Sequence, residues 1–89
     1  MPVISMFYGI VIMMYPFDND KHHLPHVHIR YQEQEAVFSI ETGDLLEGNL
    51  RSNKKKLVEA WIELRREDLL TDWQLAVQGH PIFNIEPLK

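Results

Sequence analysis

Up to about residue 50 the apolar residues recur with a period near two, and beyond it with a spacing of three to four. Val3 to Tyr15 is dense in β-branched, aromatic and methionine side chains, with Gly9 in the middle. That predicts two short strands, or one strand bent at the glycine. Ile10, Ile12 and Met14 fall on one side and would face the core, yet Val11, Met13 and Tyr15 on the other side are apolar too. A strand of that kind needs cover on both faces, from the C-terminal tail or from a second copy of the chain, so a homodimer is expected. Pro16 to Lys21, with Asp18, Asn19 and Asp20 together, is turn chemistry.

From Pro25 the alternation is clean. Val27, Ile29 and Tyr31 share one side of a strand, while His26, His28 and Arg30 share the other. Proline has no N–H to give to a ladder and fits at a strand's first residue, so the preceding loop should fold over the strand's start. Ala36, Phe38 and Ile40 alternate with Val37, Ser39 and Glu41 in a second amphipathic strand, and the two read as a hairpin. The turn at Gln32-Glu33-Gln34 lacks glycine and asparagine and gives little support for a tight primed turn, whereas Thr42-Gly43-Asp44 has good turn residues. Leu45 to Leu50 then returns as a short last strand.

Ser52 or Asn53 can cap a helix whose apolar positions run Leu57, Val58, Trp61, Ile62, Leu64. The pattern slips at Arg65-Arg66-Glu67-Asp68 before Leu69, Leu70, Trp73, Ala76 and Val77 resume it, so the helix bends there or a second one begins. Gly79 and Pro81 stop it. The sum is one α+β domain over residues 1–89: an antiparallel meander of about four strands (3–50), a helix or bent helix pair (53–78) packed on one face, and an extended tail (80–89) that adds an edge strand or lies along the body.

Composition narrows the function classes. Eighty-nine residues support one modest core, and with no cysteine any metal must be held by nitrogen and oxygen ligands. The longest apolar run, Ile10 to Tyr15, is far short of the roughly 20 residues that span a bilayer, and no basic segment precedes an apolar one at the N-terminus. A soluble, unexported, cytoplasmic protein with no membrane partner is expected. The net charge of −4 argues against generic polyanion binding. No glycine-rich phosphate loop or serine nucleophile motif is present.

Chemistry concentrates between His22 and Tyr31, which hold four of the five histidines. His26 and His28 at i and i+2 on a strand point the same way, and His22 from the loop would complete a three-nitrogen set for zinc, nickel, copper or iron. The same residues also suit hydrogen bonds that fix the loop on the sheet, or acid/base and phosphate-contacting roles. His23 is the weakest member, and His80, just past the helix stop, suits a favourable interaction with the helix C-terminus. Arg51, Lys54, Lys55 and Lys56 crowd the helix N-terminus, where cations oppose the dipole and a bound anion would be stabilised. With Arg30 they are candidates for a phosphate, RNA or partner contact, against the plainer reading of a solvated charged turn. Trp61 and Trp73 read as core, because no aromatic-rich basic motif of an RNA-binding sheet accompanies them.

The start Met1-Pro2-Val3-Ile4 with Phe7-Tyr8-Gly9-Ile10, then Pro25-His26-Val27-His28, Glu35-Ala36-Val37 with Leu46-Glu47-Gly48, the Leu57-to-Trp61 helix and the close Ile85-Glu86-Pro87-Leu88 resemble a small bacterial family, domain of unknown function 4160. The likeness spans nearly the whole chain. The family pattern is an acidic residue, a histidine, a spacer, two prolines and histidine-x-histidine; here Leu24 replaces the first proline and Lys21 stands at the acidic position, with Asp20 one place earlier. The resemblance matches His22, His26 and His28. It implies a cytoplasmic bacterial protein, often encoded beside another small uncharacterised domain in a toxin–antitoxin-like arrangement, with no established activity. Two classes of function stand: a histidine site that binds a divalent transition metal or does acid/base chemistry, and a non-catalytic module that binds its neighbour protein or nucleic acid.

Overall fold

The computed structural model describes residues 3–15 and 24–89; the 16–21 turn, His22 and His23 lie outside the described residues. Five strands, β1 (Val3–Phe7), β2 (Ile10–Met13), β3 (His26–Tyr31), β4 (Gln34–Ser39) and β5 (Leu45–Gly48), form an antiparallel meander in the order β1-β2-β3-β4-β5, followed by one helix, α1 (Ser52–Val77). The α+β expectation holds, with one more strand than the sequence suggested, because the Val3–Tyr15 stretch folds back on itself. Tyr8 (φ 51°) and Gly9 (φ 77°) both adopt the left-handed backbone of a two-residue primed turn, which matches the twist of the flanking strands.

The β3–β4 hairpin is tighter than its sequence suggests. Tyr31 pairs directly with Gln34, leaving only Gln32 and Glu33 in the turn, and Gln32 takes φ 54° without being glycine. Long-range pairing of six residue pairs along β3 and β4 outweighs the one to two kcal/mol or so that a left-handed side-chain residue costs. β5 ends at Gly48 rather than Leu50, and Leu46 is an extra, bulged residue between the Phe38↔Leu45 and Val37↔Glu47 pairs. Gly48 has φ 84°, and a Cβ there would collide with the Glu35 carbonyl oxygen, so only glycine lets β5 close on β4.

α1 packs on one face of the sheet. Its buried Val58, Trp61, Ile62, Leu69 and Trp73 meet Ile4, Phe7, Ile10, Ile12, Met14, Val27, Ile29, Ala36, Phe38 and Ile40 in a single core that also takes in Ile85 from the tail. Trp61 is fully buried, lies 5.3 Å from the Phe7 ring (centroid to centroid) and donates its indole N–H to the Glu86 carbonyl at 2.8 Å. Leu64, expected in this core, is 67% exposed. The stripe through Val58, Trp61 and Ile62 passes to Leu69 and Trp73, and Leu64 falls off it.

The slip at Arg65 is a bend within one helix (φ −110°, ψ 17°). Arg65 and Arg66 occupy the turn where the stripe would continue, and the bend lets the Arg66 Nε–H reach the Ile40 carbonyl at 2.9 Å. Neither Ser52 nor Asn53 caps the helix. Arg51 stands at the N-cap with no side-chain capping bond, and its own N–H is donated to Gln34 Oε1 at 2.8 Å. The C-terminus closes as a Schellman motif, with His80 N–H on Leu75 O and Gly79 N–H on Ala76 O.

The tail forms no strand; one backbone bond, Ile85 N–H to Ile4 O at 2.7 Å, ties it to the outer edge of β1, at the residue bulged out of the β1–β2 register. A second tie runs from Phe83 N–H to Asp72 Oδ1 at 3.0 Å. Among the described residues no helix is long and apolar enough to cross a membrane.

Replacing Trp61 by alanine removes a buried indole and the bond that secures the tail, so Trp61→Ala is expected to cost about 3–5 kcal/mol in denaturant melts. Leu64→Ala should stay within about 0.5 kcal/mol of the parent, since its side chain faces water. A second expectation concerns pH. Burial raises the Asp72 carboxyl above its ordinary value, the Phe83 N–H opposes this, and Asp68 adds to it. The folded chain therefore binds that proton more tightly than the unfolded chain, and Asp72 withdraws stability as pH rises from about 4 until the group is ionised. Asp72→Asn should match the parent in acid and become the more stable of the two toward pH 7; parallel melts across that range that keep a constant difference would contradict this.

Candidate functional site

β3 is the central strand, and pairing on both sides fixes where its polar side chains go. His28 lies between Met13 of β2 and Val37 of β4, and Arg30 between Val11 and Glu35. These rows belong to the face of the sheet opposite Val27 and Ile29, whose side chains join the helix-covered core. On this outer face Met13 and Val37 are nearly buried and Val11 and Tyr15 half-buried.

The two histidines differ more than their i, i+2 spacing suggests. His26 was expected beside His28 on a second face away from the core, but it is fully buried. Trp73, two turns beyond the bend of α1, brings its indole to 4.9 Å from the His26 ring at the end of the sheet where β3 begins. The strand pattern does not predict this burial, to which Trp73 of the helix contributes. Nδ1 of His26 lies 2.7 Å from the Leu24 carbonyl oxygen. A carbonyl can only accept, so Nδ1 carries a proton and Nε2 is directed away from that bond. Pro25, just before the strand, accepts the Ile40 N–H at 3.0 Å, which anchors this corner from the other side.

His28 is half-buried. Its ring stacks on Tyr15 (centroids 4.0 Å apart, 14° between planes) and meets the edge of His26 at 5.2 Å and 65°. Tyr15, Met13, His28, Arg30, Glu35, Val37 and Glu47 line a concavity of about 170 Å³, room for a few water molecules or a small ion with its ligands. Arg30 and Glu35 pair across β3 and β4 at 3.3 Å, both largely exposed, so the pair contributes little to stability. Tyr15 and Glu47 were not singled out as site residues by the sequence; they join His28 through strand register, which no local pattern encodes.

The remaining candidates go elsewhere. Arg51 lies beside the β3–β4 turn, and the Lys54 ammonium sits 5.1 Å above the Tyr31 ring. Tyr31 and His26 are opposite ends of a six-residue strand, about 17 Å apart, so the basic group of Arg51, Lys54, Lys55 and Lys56 is separate from the histidines. His80 is exposed. His22 falls outside the described residues, and among the described residues no three metal-ligating side chains converge.

A family model described as "Domain of unknown function (DUF4160)" matches residues 9–74, which takes in every strand from β2 to β5 and most of α1. Comparison with curated proteins and with solved structures gave no match.

The burial of His26 makes it a fold residue whatever else it does. His26→Ala should lower stability by about 2–4 kcal/mol, through the gap beside Trp73 and the lost bond to Leu24. His28→Ala, half-buried, is expected to cost about 1 kcal/mol or less, and thermal melts of the two single variants would rank them.

Proposed function

The chain belongs to the DUF4160 family, and we propose that its histidine pair on β3 binds a divalent transition metal, with the buried His26 and the half-buried His28 as ligands. The observation that carries this reading is the pair's geometry. Two imidazoles sharing one tetrahedral ion through nitrogens at about 2.0–2.1 Å bring their ring centres to roughly 5 Å. The His26 and His28 rings stand 5.2 Å apart at 65°. The Nδ1–H bond from His26 to a backbone carbonyl is also the support that fixes the tautomer and aim of ligating histidines. His22, which the sequence supplies upstream, is the third nitrogen in this reading. A bound ion would bring Lewis acidity beside the concavity that His28 lines.

Protein prepared without a nickel column should bind zinc, nickel or copper saturably, well below millimolar, in calorimetry. His28→Ala and His22→Ala should each weaken binding at least about tenfold, and His23→Ala should have much less effect. Affinity should fall as pH drops through about 6.5, because protons compete for the same nitrogens. The absence of any saturable binding tighter than about millimolar, or equal binding by His28→Ala, would show that these histidines serve the fold alone.

A further inference from the structure

Away from the histidines, α1 and the tail enclose a cleft of about 310 Å³ lined by Asp68, Thr71, Asp72, Phe83, Asn84 and Glu86. Three of these side chains are carboxylates. Glu86 already holds the Lys89 ammonium at 2.9 Å, and that contact lowers its carboxyl below the ordinary range. Among the described residues neither Asp68 nor Asp72 has an ion-pair partner. They stand one helical turn apart, a like-charge spacing that works against the helix.

Asp72 is the unusual member. It is only 2% exposed; Oδ1 accepts the Phe83 N–H, while Oδ2 has no hydrogen-bond partner. A buried carboxylate oxygen without a donor is costly, and such groups mark places where something else completes the bonding. Thr71 is committed elsewhere, its hydroxyl donating to Glu67 O at 3.0 Å. Beside the acids, Phe83 presents a ring that is 70% exposed.

We propose that this cleft between α1 and the tail binds an organic cation, a guanidinium or primary ammonium group, with Asp72 and Asp68 as its counter-charges. Such a group carries several N–H donors on one charge, which suits Asp72 Oδ2, Asp68 and the Asn84 amide oxygen together. The exposed face of Phe83 suits the same cation. A metal ion suits the cleft less, because no three metal-ligating side chains converge among the described residues. The group can come from a free small amine or from an arginine or lysine of a partner protein.

Methylguanidinium titrated into the full chain, followed by ¹H–¹⁵N NMR, tests this. The Phe83, Asn84 and Thr71 amides should shift saturably. Asp72→Asn keeps an oxygen for the Phe83 N–H and should weaken binding at least about tenfold, as loss of a charged hydrogen bond does. If that variant fails to fold, Asp68→Asn with Glu86→Gln should weaken it in turn, and unchanged affinity there counts against the proposal. A short arginine peptide that binds more tightly than methylguanidinium at the same amides assigns the cleft to a protein partner, and equal binding assigns it to a free amine. Absence of saturable shifts, equal binding by Asp72→Asn, or a response to magnesium chloride but not to methylguanidinium would overturn the proposal, leaving Asp72 an acid completed by water.

Discussion

The buried indole of Trp61 is the contact on which the three parts of the molecule depend. Its ring packs on Phe7 of β1 and fills the centre of the helix–sheet interface, and its N–H holds the tail at Glu86. A chain of this length has a small core, so one large side chain that joins sheet, helix and tail supplies a large share of what holds them together. The tail in turn has few ties of its own: Ile85 N–H to Ile4 O, Phe83 N–H to Asp72, and Glu86 O to Trp61. Each uses a backbone group of the tail; the first meets β1 and the other two meet α1.

The same arrangement protects the sheet's margins. β1 is an edge strand, and the tail meets it at the bulged Ile4. β5, the other edge, is four residues long, bulged at Leu46, and carries Glu47, features that discourage strand addition. With α1 across one face, the outer face is where polar chemistry collects, and there His28, Arg30, Glu35 and Glu47 surround a small concavity.

His26 links that face to the helix. Its ring is wedged between His28 and Trp73, so the packing that buries the helix also fixes the position of this ring beside His28. In the reading proposed above, a structural and a metal-binding role fall on one side chain. Asp72, a residue before that tryptophan, carries the same tension in a different form: it organises the tail through one oxygen and leaves the other without a donor.

Much of the fold was legible from residue spacing. Alternation at Val27, Ile29, Ala36, Phe38 and Ile40 identified the inward rows of β3 and β4, and the 58, 61, 62, 69, 73 stripe identified the buried side of α1 along with its bend, because side-chain direction in a strand or helix follows directly from period. Turn chemistry identified the Gly43 turn, left the Gly9 stretch as two strands or one bent strand, and did not support the turn at Gln32, which is held by pairing on either side. Leu64 was misjudged because one apolar residue near a bend satisfies the local pattern on either flank. For the site, sequence singled out His26, His28 and Arg30 and put them on one side of a strand. It could not separate their environments. The full burial of His26, the stacking of Tyr15 on His28, the distance of the Arg51–Lys56 group and the unpaired oxygen of Asp72 all arise from contacts between residues 11 to 47 positions apart in the chain, and such contacts are decided by strand register and by how helix, sheet and tail dock rather than by any local period.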